Sequence, residues 1–366
     1  QQPPGAGARG AATGAGPGPG VSMPSFCRHN RLLQNCPICT REQHVEMRPA
    51  VSPGGHPVRQ VRPGASPGDS RAGGAGGGTG GRSGGGRRGA GATRGAQGLT
   101  VRRLTRGADD GFRSALVPGL RSGEDARRLA GELAFAATRL ARLGDRAPGL
   151  YEQVADPAGS PEERAWLAFL IAYLGPLDGP EPFASIAAIR TSWESGQEPA
   201  LDGVQLGPRT AHEPSRGLRT IDAYRTWAER AGSQAAAFTG EEAWSPERRF
   251  ARVFERLALP GLHRGARFDL LATLGAAGVF QMRANALHLV GNDEVTVAAK
   301  RLLGIGDPML LERRAAELAA ACGLPLEALD LGLFSFERGA RACSGLEPDA
   351  EPDPTLLAGA LSALDL

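Results

Sequence analysis

The uneven distribution of glycine constrains this chain more than any other feature of its sequence. Residues 1–98 hold 25 of its 53 glycines, among too few apolar residues to build a core. After Leu99 the sequence changes to stretches rich in Ala, Leu, Arg and Glu, long enough to bury a core of ordinary size. We therefore expect one globular helical domain, at residues 99–346, behind a long low-complexity region.

The low-complexity region divides around one short cysteine-containing segment. Residues 1–22 and the Gly/Arg-rich linker at residues 47–98 are predicted to be disordered, because arginines set among glycines bury too little apolar surface. Residues 23–46 between them hold the cysteines of a predicted zinc finger. Beyond the globular domain, residues 347–366 form an acidic tail with a short apolar end, a candidate helix for docking on a partner.

Charge is as unevenly spread as glycine. The whole chain carries a formal net charge of +3, but residues 1–106 carry 15 arginines against three acidic residues, so that the remainder is net negative. Neutralising a phosphate backbone needs clustered positive charge. Attraction to nucleic acid that ignores sequence is therefore expected mainly from the N-terminal third, while the globular domain must rely on local basic patches.

Four soft or borderline metal ligands lie within thirteen residues. Cys27 and His29 are followed by the C-x-x-C pair Cys36 and Cys39, and such a pair can hold one side of a tetrahedral Zn²⁺. A segment this short cannot bury a core, so a structural zinc would supply its folding free energy. His44 is an alternative ligand, and a chance cluster of thiols is the alternative to a metal site.

Nothing in the composition favours export or a membrane. No stretch of 18 apolar residues is present, and the N-terminus lacks the basic-then-apolar pattern of a secretory signal. The odd number of cysteines, five, argues against a disulfide framework and for a reducing compartment. The protein is expected to be cytoplasmic and not to associate with membranes.

Apolar periodicity predicts an all-α fold for the globular domain. At 246–257, for example, Ser245 can cap the helix, Pro246 suits its first turn, and the apolar residues repeat at helical spacing. No alternating strand pattern competes. The predicted helices lie at residues 123–143, 161–174, 180–193, 220–232, 246–257, 264–276, 293–303, 308–322 and 326–338.

The segment joining two of these helices carries a motif. Leu259-Pro260-Gly261-Leu262 stands between helices 246–257 and 264–276, and it resembles the helix-hairpin-helix of the DNA glycosylase superfamily. A hairpin that opens a helix presents unpaired backbone N–H groups to a phosphate, so Gly261, His263 and Arg264 are predicted DNA contacts. An ordinary αα-hairpin is the alternative. Six arginines form the basic patch expected to bind the DNA backbone: Arg248, Arg249, Arg252, Arg256, Arg264 and Arg267.

Two positions depart from the superfamily pattern. His263 stands where the family hairpin has its second glycine, and Gly265 stands where bifunctional glycosylases have a nucleophilic lysine. Strand cleavage through a Schiff base is therefore not expected.

The helix predicted at 293–303 carries the candidate chemistry. Its sequence from Gly291 to Gly304 resembles the superfamily helix that begins with the catalytic aspartate. The family spacing falls on Asn292, and the neighbouring Asp293 is assigned that role. A carboxylate there can stabilise positive charge on the sugar or orient a nucleophile; alternatively, Asn292 or Asp293 merely caps the helix. Lys300, the chain's only lysine beside 41 arginines, is a second candidate, with a solvated surface lysine as the alternative.

A loop at residues 207–212 supplies basic groups for contact with an extruded nucleotide. Arg209 and His212 are the candidates, and Trp193 and Tyr224 flank the loop with rings suited to stacking on a flipped base. An ordinary ordered loop is the alternative.

Several motifs together resemble a narrower family, the α-glutamyl/putrescinyl thymine pyrophosphorylase family, clade 3. They are G-P-R-T-A-H at 207–212, A-G-S-Q-A-A-A-F-T-G at 231–240, R-R-F-A-R-V-F-E-R-L at 248–257 and L-L-G-I-G-D-P at 302–308. The resemblance implies a glycosylase fold acting on DNA, in which an amine or amino acid displaces pyrophosphate from an activated hydroxymethyl-pyrimidine. A monofunctional DNA N-glycosylase and a non-catalytic protein that binds modified DNA are the alternatives.

Overall fold

The computed structural model describes residues 107–342, 344–347 and 349–366, and this part of the chain is all-helical, without a strand. The predicted zinc finger and linker lie outside the described residues. Among the described residues no single helix has the length and apolar character to cross a membrane; one bent pair, Pro308–Ala321 with Leu326–Arg338, meets that test by length and composition. The helices are α1 (Gly123–Asp145), α2 (Leu150–Ala155), α3 (Pro161–Leu174), α4 (Ala184–Ile189), α5 (Gly217–Arg230), α6 (Gln234–Thr239), α7 (Pro246–Arg256), α8 (Arg264–Ala276), α9 (Glu294–Leu303), α10 (Pro308–Ala321), α11 (Leu326–Arg338) and α12 (Pro354–Ala363).

The all-α prediction is confirmed, and the long helices lie where their periodicity places them. The helices predicted at 161–174, 264–276 and 326–338 have the same bounds in the structure. In α7 the Ser245 hydroxyl accepts a hydrogen bond from the Arg248 amide, and Pro246 occupies the first turn. The apolar side of this helix is buried as expected, since Phe250 and Val253 are fully enclosed.

The prediction misses two of the three six-residue helices, α2 and α6, and makes the third, α4, too long. α2 and α6 are too short to show a 3.6-residue period, and contacts outside the segment fix them. In α6, for example, the Glu162 carboxylate of α3 accepts hydrogen bonds from the amides of Gln234 and Ala235. The helix predicted at 180–193 shrinks to α4, because Arg190 already has extended backbone angles.

Two groups of helices meet at α8. α11 packs against α1, α9 and α10, and α12 packs on α1, so the first and last helices of the domain form one group. In the other group, α3 packs against α2, α4 and α6. α8 contacts both α1 and α3 and so connects the two groups.

Close helix packing fixes the first group. A Cβ on Gly332 of α11 would lie only 2.7 Å from a methyl carbon of Leu133 in α1, so glycine permits the close approach of these helices. Leu129 and Leu133 are fully buried between them, and each buried leucine contributes on the order of 2 kcal/mol relative to exposure.

The acidic tail of the sequence ends in a helix that packs on the domain itself. α12 lies against α1, with Ala360 and Leu364 fully buried. The amide of Asp353 donates a hydrogen bond to the hydroxyl of Thr138 in α1, which anchors the start of this helix. The apolar end of the tail is therefore part of the domain core.

Candidate functional site: a cavity at the starts of α8 and α9

The turn between α7 and α8 has a fixed shape that requires glycine. The Leu262 amide donates to the Leu259 carbonyl at 3.1 Å, and Gly261 has a φ of +78°, which favours glycine. A Cβ on Gly261 would lie 2.2 Å from the Thr220 hydroxyl of α5. Turn geometry and packing against α5 together account for Gly261 without a phosphate.

Arg264, the first residue of α8, is buried and held by three acceptors. Its Nε donates to Asp293 Oδ1 at 3.0 Å, its Nη1 to the Leu287 carbonyl at 2.7 Å and its Nη2 to Asp330 Oδ1 at 2.6 Å. Burial opposes the charged form, but the two carboxylates outweigh it and raise the pKa of Arg264. The predicted DNA contact is thus engaged inside the protein in this structure.

Asp330 of α11 is the centre of this ion-pair network, and the sequence analysis missed it. The side chain is 2% exposed and also accepts a hydrogen bond from Arg209 Nη2 at 2.6 Å. Burial raises its pKa, but the guanidiniums of Arg264 and Arg209 dominate and leave the pKa below its ordinary value of 3.8. The available signal was a single acidic residue between Leu329 and Leu331 on a helix that is otherwise mainly apolar.

Asp293 caps α9 and binds Arg264 at the same time. Its Oδ2 accepts from the Thr296 hydroxyl at 2.6 Å, and its Oδ1 accepts from the Thr296 amide at 3.4 Å in addition to Arg264. The helix-capping alternative is therefore present in the structure. The side chain nevertheless stays 27% exposed.

These elements enclose a cavity of about 90 Å³, here called the junction cavity. Three chain segments and one ring line it: residues 208–210 of the loop before α5, residues 263–265 at the start of α8, residues 293–295 at the start of α9, and Phe334 of α11. Arg209 stacks over Phe334, with its Cζ 4.6 Å from the ring centroid. The junction cavity thus brings together predicted site residues that are far apart in sequence: Arg209, His263, Arg264 and Asp293.

Three predicted site residues do not line the junction cavity: Gly261, in the turn before α8, Lys300 and His212. Lys300 Nζ donates to the Gly291 carbonyl at 3.0 Å and does not line the junction cavity. His212 is buried with Nδ1 3.0 Å from the Tyr173 hydroxyl, and burial lowers its pKa. It lines a separate cavity of about 350 Å³ at the start of α5.

The aromatic rings predicted to stack on a flipped base belong instead to the core. Tyr224 is fully buried, and its ring centroid lies 3.8 Å from that of Phe169. Trp193 packs against Trp166 at 5.5 Å and is covered by the Arg225 guanidinium at 4.7 Å. The stacking prediction is wrong for Tyr224, whose ring is enclosed in the core. The Trp193 ring stays partly exposed.

The six-arginine patch shrinks to three exposed arginines. Arg249 is buried and donates to the carbonyls of Thr239 and Gln281, and Arg267 donates to the Phe254 carbonyl at 3.1 Å. With Arg264 also engaged, the exposed members are Arg248, Arg252 and Arg256, spaced four residues apart along α7.

Comparison with known proteins finds no match: no protein-family model, curated protein or solved structure is similar to this chain. Within the described residues, no group of three or more His, Cys, Asp or Glu side chains could hold a metal ion. The predicted zinc ligands Cys27, His29, Cys36 and Cys39 lie outside those residues.

Proposed function

We propose that this protein acts on a nucleobase in DNA, with the base received at the junction cavity. The observation that carries the proposal is that the start of α8, directly after the α7–α8 turn, and Asp293 at the start of α9 line one cavity. A turn that opens a helix suits a backbone phosphate, and an enzyme that acts on a base must first take it out of the stack. A site with both elements side by side serves that task.

The DNA backbone would lie along α7 and the turn after it. In this proposal α7, the turn and α8 act as a helix-hairpin-helix. Arg248, Arg252 and Arg256 are exposed along α7, and their spacing places them on one face of the helix. No side chain caps the amides at the start of α8, which leaves these donors for a phosphate oxygen. The arginine-rich segment at residues 47–98 would add attraction that does not depend on sequence.

The reaction we propose is the one that the family resemblance implies. An amine or amino acid would displace pyrophosphate from an activated hydroxymethyl-pyrimidine and so hypermodify thymine. A monofunctional DNA N-glycosylase is the first alternative, since base extrusion serves cleavage of the sugar bond equally well. Such a glycosylase would not cleave the strand, because Gly265 stands on the cavity where the bifunctional enzymes have a Schiff-base lysine.

One observation favours a second candidate, a non-catalytic protein that recognises a modified base. Both oxygens of Asp293 already accept hydrogen bonds, and Arg264 neutralises its charge. A carboxylate held in this way shapes a pocket well but is a poor nucleophile or base.

A structural zinc ion is part of the proposal for residues 23–46. Cys27, His29, Cys36 and Cys39 supply a ligand set that Zn²⁺ prefers. Metal analysis of the purified full-length protein tests this assignment, and a stoichiometry well below one zinc per chain would contradict it.

The experiment uses the full-length protein and duplex oligonucleotides that carry thymine, 5-hydroxymethyluracil or its pyrophosphorylated form, with glutamate or putrescine added. A mass change at the base supports the transferase, and abasic sites support the glycosylase. The tested variant is Asp293→Asn, which keeps a capping side chain but removes the charge. The matched control is Asp307→Asn, which alters the equivalent cap of α10 away from the cavity.

Each outcome separates the candidates. Loss of chemistry in Asp293→Asn, with Asp307→Asn unaffected, supports an enzyme at the junction cavity. Tight binding of one modified DNA without chemistry, retained in Asp293→Asn, supports the binding protein. Neither binding nor chemistry with any of these duplexes overturns the proposal.

A further inference from the structure

His263 lines the junction cavity with one ring nitrogen fixed by the protein. Its Nε2 lies 3.0 Å from the carbonyl oxygen of Thr210. A carbonyl oxygen can only accept a hydrogen bond, so Nε2 must carry the hydrogen. In a neutral imidazole the other nitrogen, Nδ1, then keeps its lone pair and can accept a proton.

Space is left open beside that free nitrogen. Nδ1 has no hydrogen-bond partner among the described residues, and the His263 side chain does not cap α8. A Cβ on Gly265 would lie 3.7 Å from Nδ1, and both residues line the junction cavity. Any larger side chain at position 265 would extend past Nδ1, whereas glycine leaves room there for another molecule.

The carboxylates of the cavity are less suited to accept a proton. Asp293 is held by Thr296 and paired with Arg264. Glu294 lines the cavity without a hydrogen bond or ion pair to the described residues, and its side chain, like that of His263, is exposed. A solvated carboxylate is a weak base near neutral pH, where imidazole is most effective. The charged groups around His263 at this cavity are Arg209, Arg264, Asp293 and Glu294.

From this geometry we infer that His263 is a catalytic residue. It acts as the general base that takes a proton from the nucleophile, which attacks the nucleobase held at the junction cavity. The inference rests on the proposed function and adds a role to it. The attacking amine nitrogen forms a bond to the methylene carbon of the pyrimidine. The C–O bond to pyrophosphate breaks, with its electron pair leaving on the pyrophosphate. The proton lost by the attacking nitrogen goes to Nδ1 of His263.

This assignment gives Asp293 a different part. By holding Arg264, which Asp330 and the Leu287 carbonyl also hold, Asp293 fixes the starts of α8 and α9 relative to each other. Asp293 is then a positioning residue, and the free lone pair is on His263.

The test compares wild-type full-length protein with His263→Gln and His263→Ala under single-turnover conditions, on the duplexes described above. The glutamine amide can still donate to Thr210 but has no basic nitrogen. With the DNA at saturating concentration, we expect the rate to fall about 100- to 10,000-fold in both variants. Added imidazole should restore rate to His263→Ala and not to His263→Gln. The acidic limb of the pH–rate profile should be absent from both variants.

A second measurement does not depend on activity. Nitrogen-15 NMR of the histidine rings reports which nitrogen carries hydrogen, and for the neutral His263 ring we expect hydrogen on Nε2 and none on Nδ1. Hydrogen on Nδ1 overturns the inference, as does a His263→Gln rate within threefold of wild type. In that second case the proposed enzyme stands without this role for His263. A wild-type protein without chemistry on any duplex removes both the enzyme and this role, and leaves at most the DNA-binding protein.

Discussion

The junction cavity and the aromatic cluster that contains Trp193 and Tyr224 show how differently a fold can place two sets of candidate site residues. The cluster joins stacked and tilted rings of α3, α5 and α6 and the loop between them: Trp166, Phe169, Tyr173, Trp193, Tyr224, Trp227 and Phe238. The cavity holds charged groups with one ring, Phe334, beneath them. Both sets contain residue types that suit contact with a nucleobase, but only one is open to a ligand.

The difference follows from what burial does to each residue type. An aromatic side chain removes 150–250 Å² of surface from water on burial, which stabilises the fold by several kcal/mol at about 25 cal/mol per Å². A buried charge costs several kcal/mol, and its partner repays that cost only when the geometry is good. Charges that the fold keeps buried beside an open cavity are therefore stronger functional candidates than buried rings.

The largest expected effect belongs to the charged side of this comparison. Asp330→Asn leaves the guanidiniums of Arg209 and Arg264 without their shared carboxylate, and breaking a buried pair costs about 3–5 kcal/mol. We expect the free energy of unfolding in urea to fall by about that amount. The matched control is Asp178→Asn, which breaks an exposed pair with Arg338 and should cost less than about 1 kcal/mol. Equal losses in the two variants would contradict a central role for Asp330.

The sequence predicted the helices well because they carry their own signals. Ser245 and Asp307 cap α7 and α10 through their side chains, and proline occupies the first turn of both. Apolar residues at helical spacing identify the buried sides. The short helices α2 and α6 lack such signals, since contacts from elsewhere in the chain hold them.

The site was predicted only in part, because its geometry depends on contacts distant in sequence. Arg264 and Asp293 were each singled out, but their ion pair joins residues 29 positions apart. Asp330 lies 66 positions from Arg264 and carried no motif. Arg248 is exposed to solvent, whereas its neighbour Arg249 binds backbone carbonyls. Which of these happens depends on what packs against the helix.

The aromatic side of the comparison predicts a smaller effect, confined to stability. Phe169 is fully buried and stacks on Tyr224 at 3.8 Å, on Trp166 at 5.4 Å and on Tyr173 at 5.5 Å. Phe169→Leu should lower the free energy of unfolding by about 2 kcal/mol through lost packing and ring contacts. The Kd for modified DNA, measured well below the melting temperature, should not change. A weakened Kd in the folded variant would restore the cluster as a binding element.

The smallest effect is expected at His288, which lies near Arg264 and stacks on a ring outside the aromatic cluster. Its ring stacks on Phe254, with centroids 3.9 Å apart, and burial together with the positive charges of Arg264 and Arg267 lowers its pKa to about 4. Between pH 6.5 and pH 4, His288 is therefore protonated in the unfolded chain but stays neutral in the folded protein. The resulting stability is fully present above the ordinary pKa of 6.5 and is lost as pH falls toward 4.

Between pH 7 and pH 5 the partly exposed His288 should cost the fold about 1 kcal/mol. His288→Asn isolates this effect, because asparagine tolerates the left-handed backbone at this position, where φ is 56°. The variant will be less stable at every pH, having lost the ring stack, but urea titrations should show a shallower decline with acid than in wild type. His212, whose pKa burial also lowers, titrates equally in both proteins and cancels in the difference. Parallel declines would contradict this prediction. They would mean that His288 takes up its proton in the folded protein while still stacked on Phe254, and that the nearby arginines do not lower its pKa.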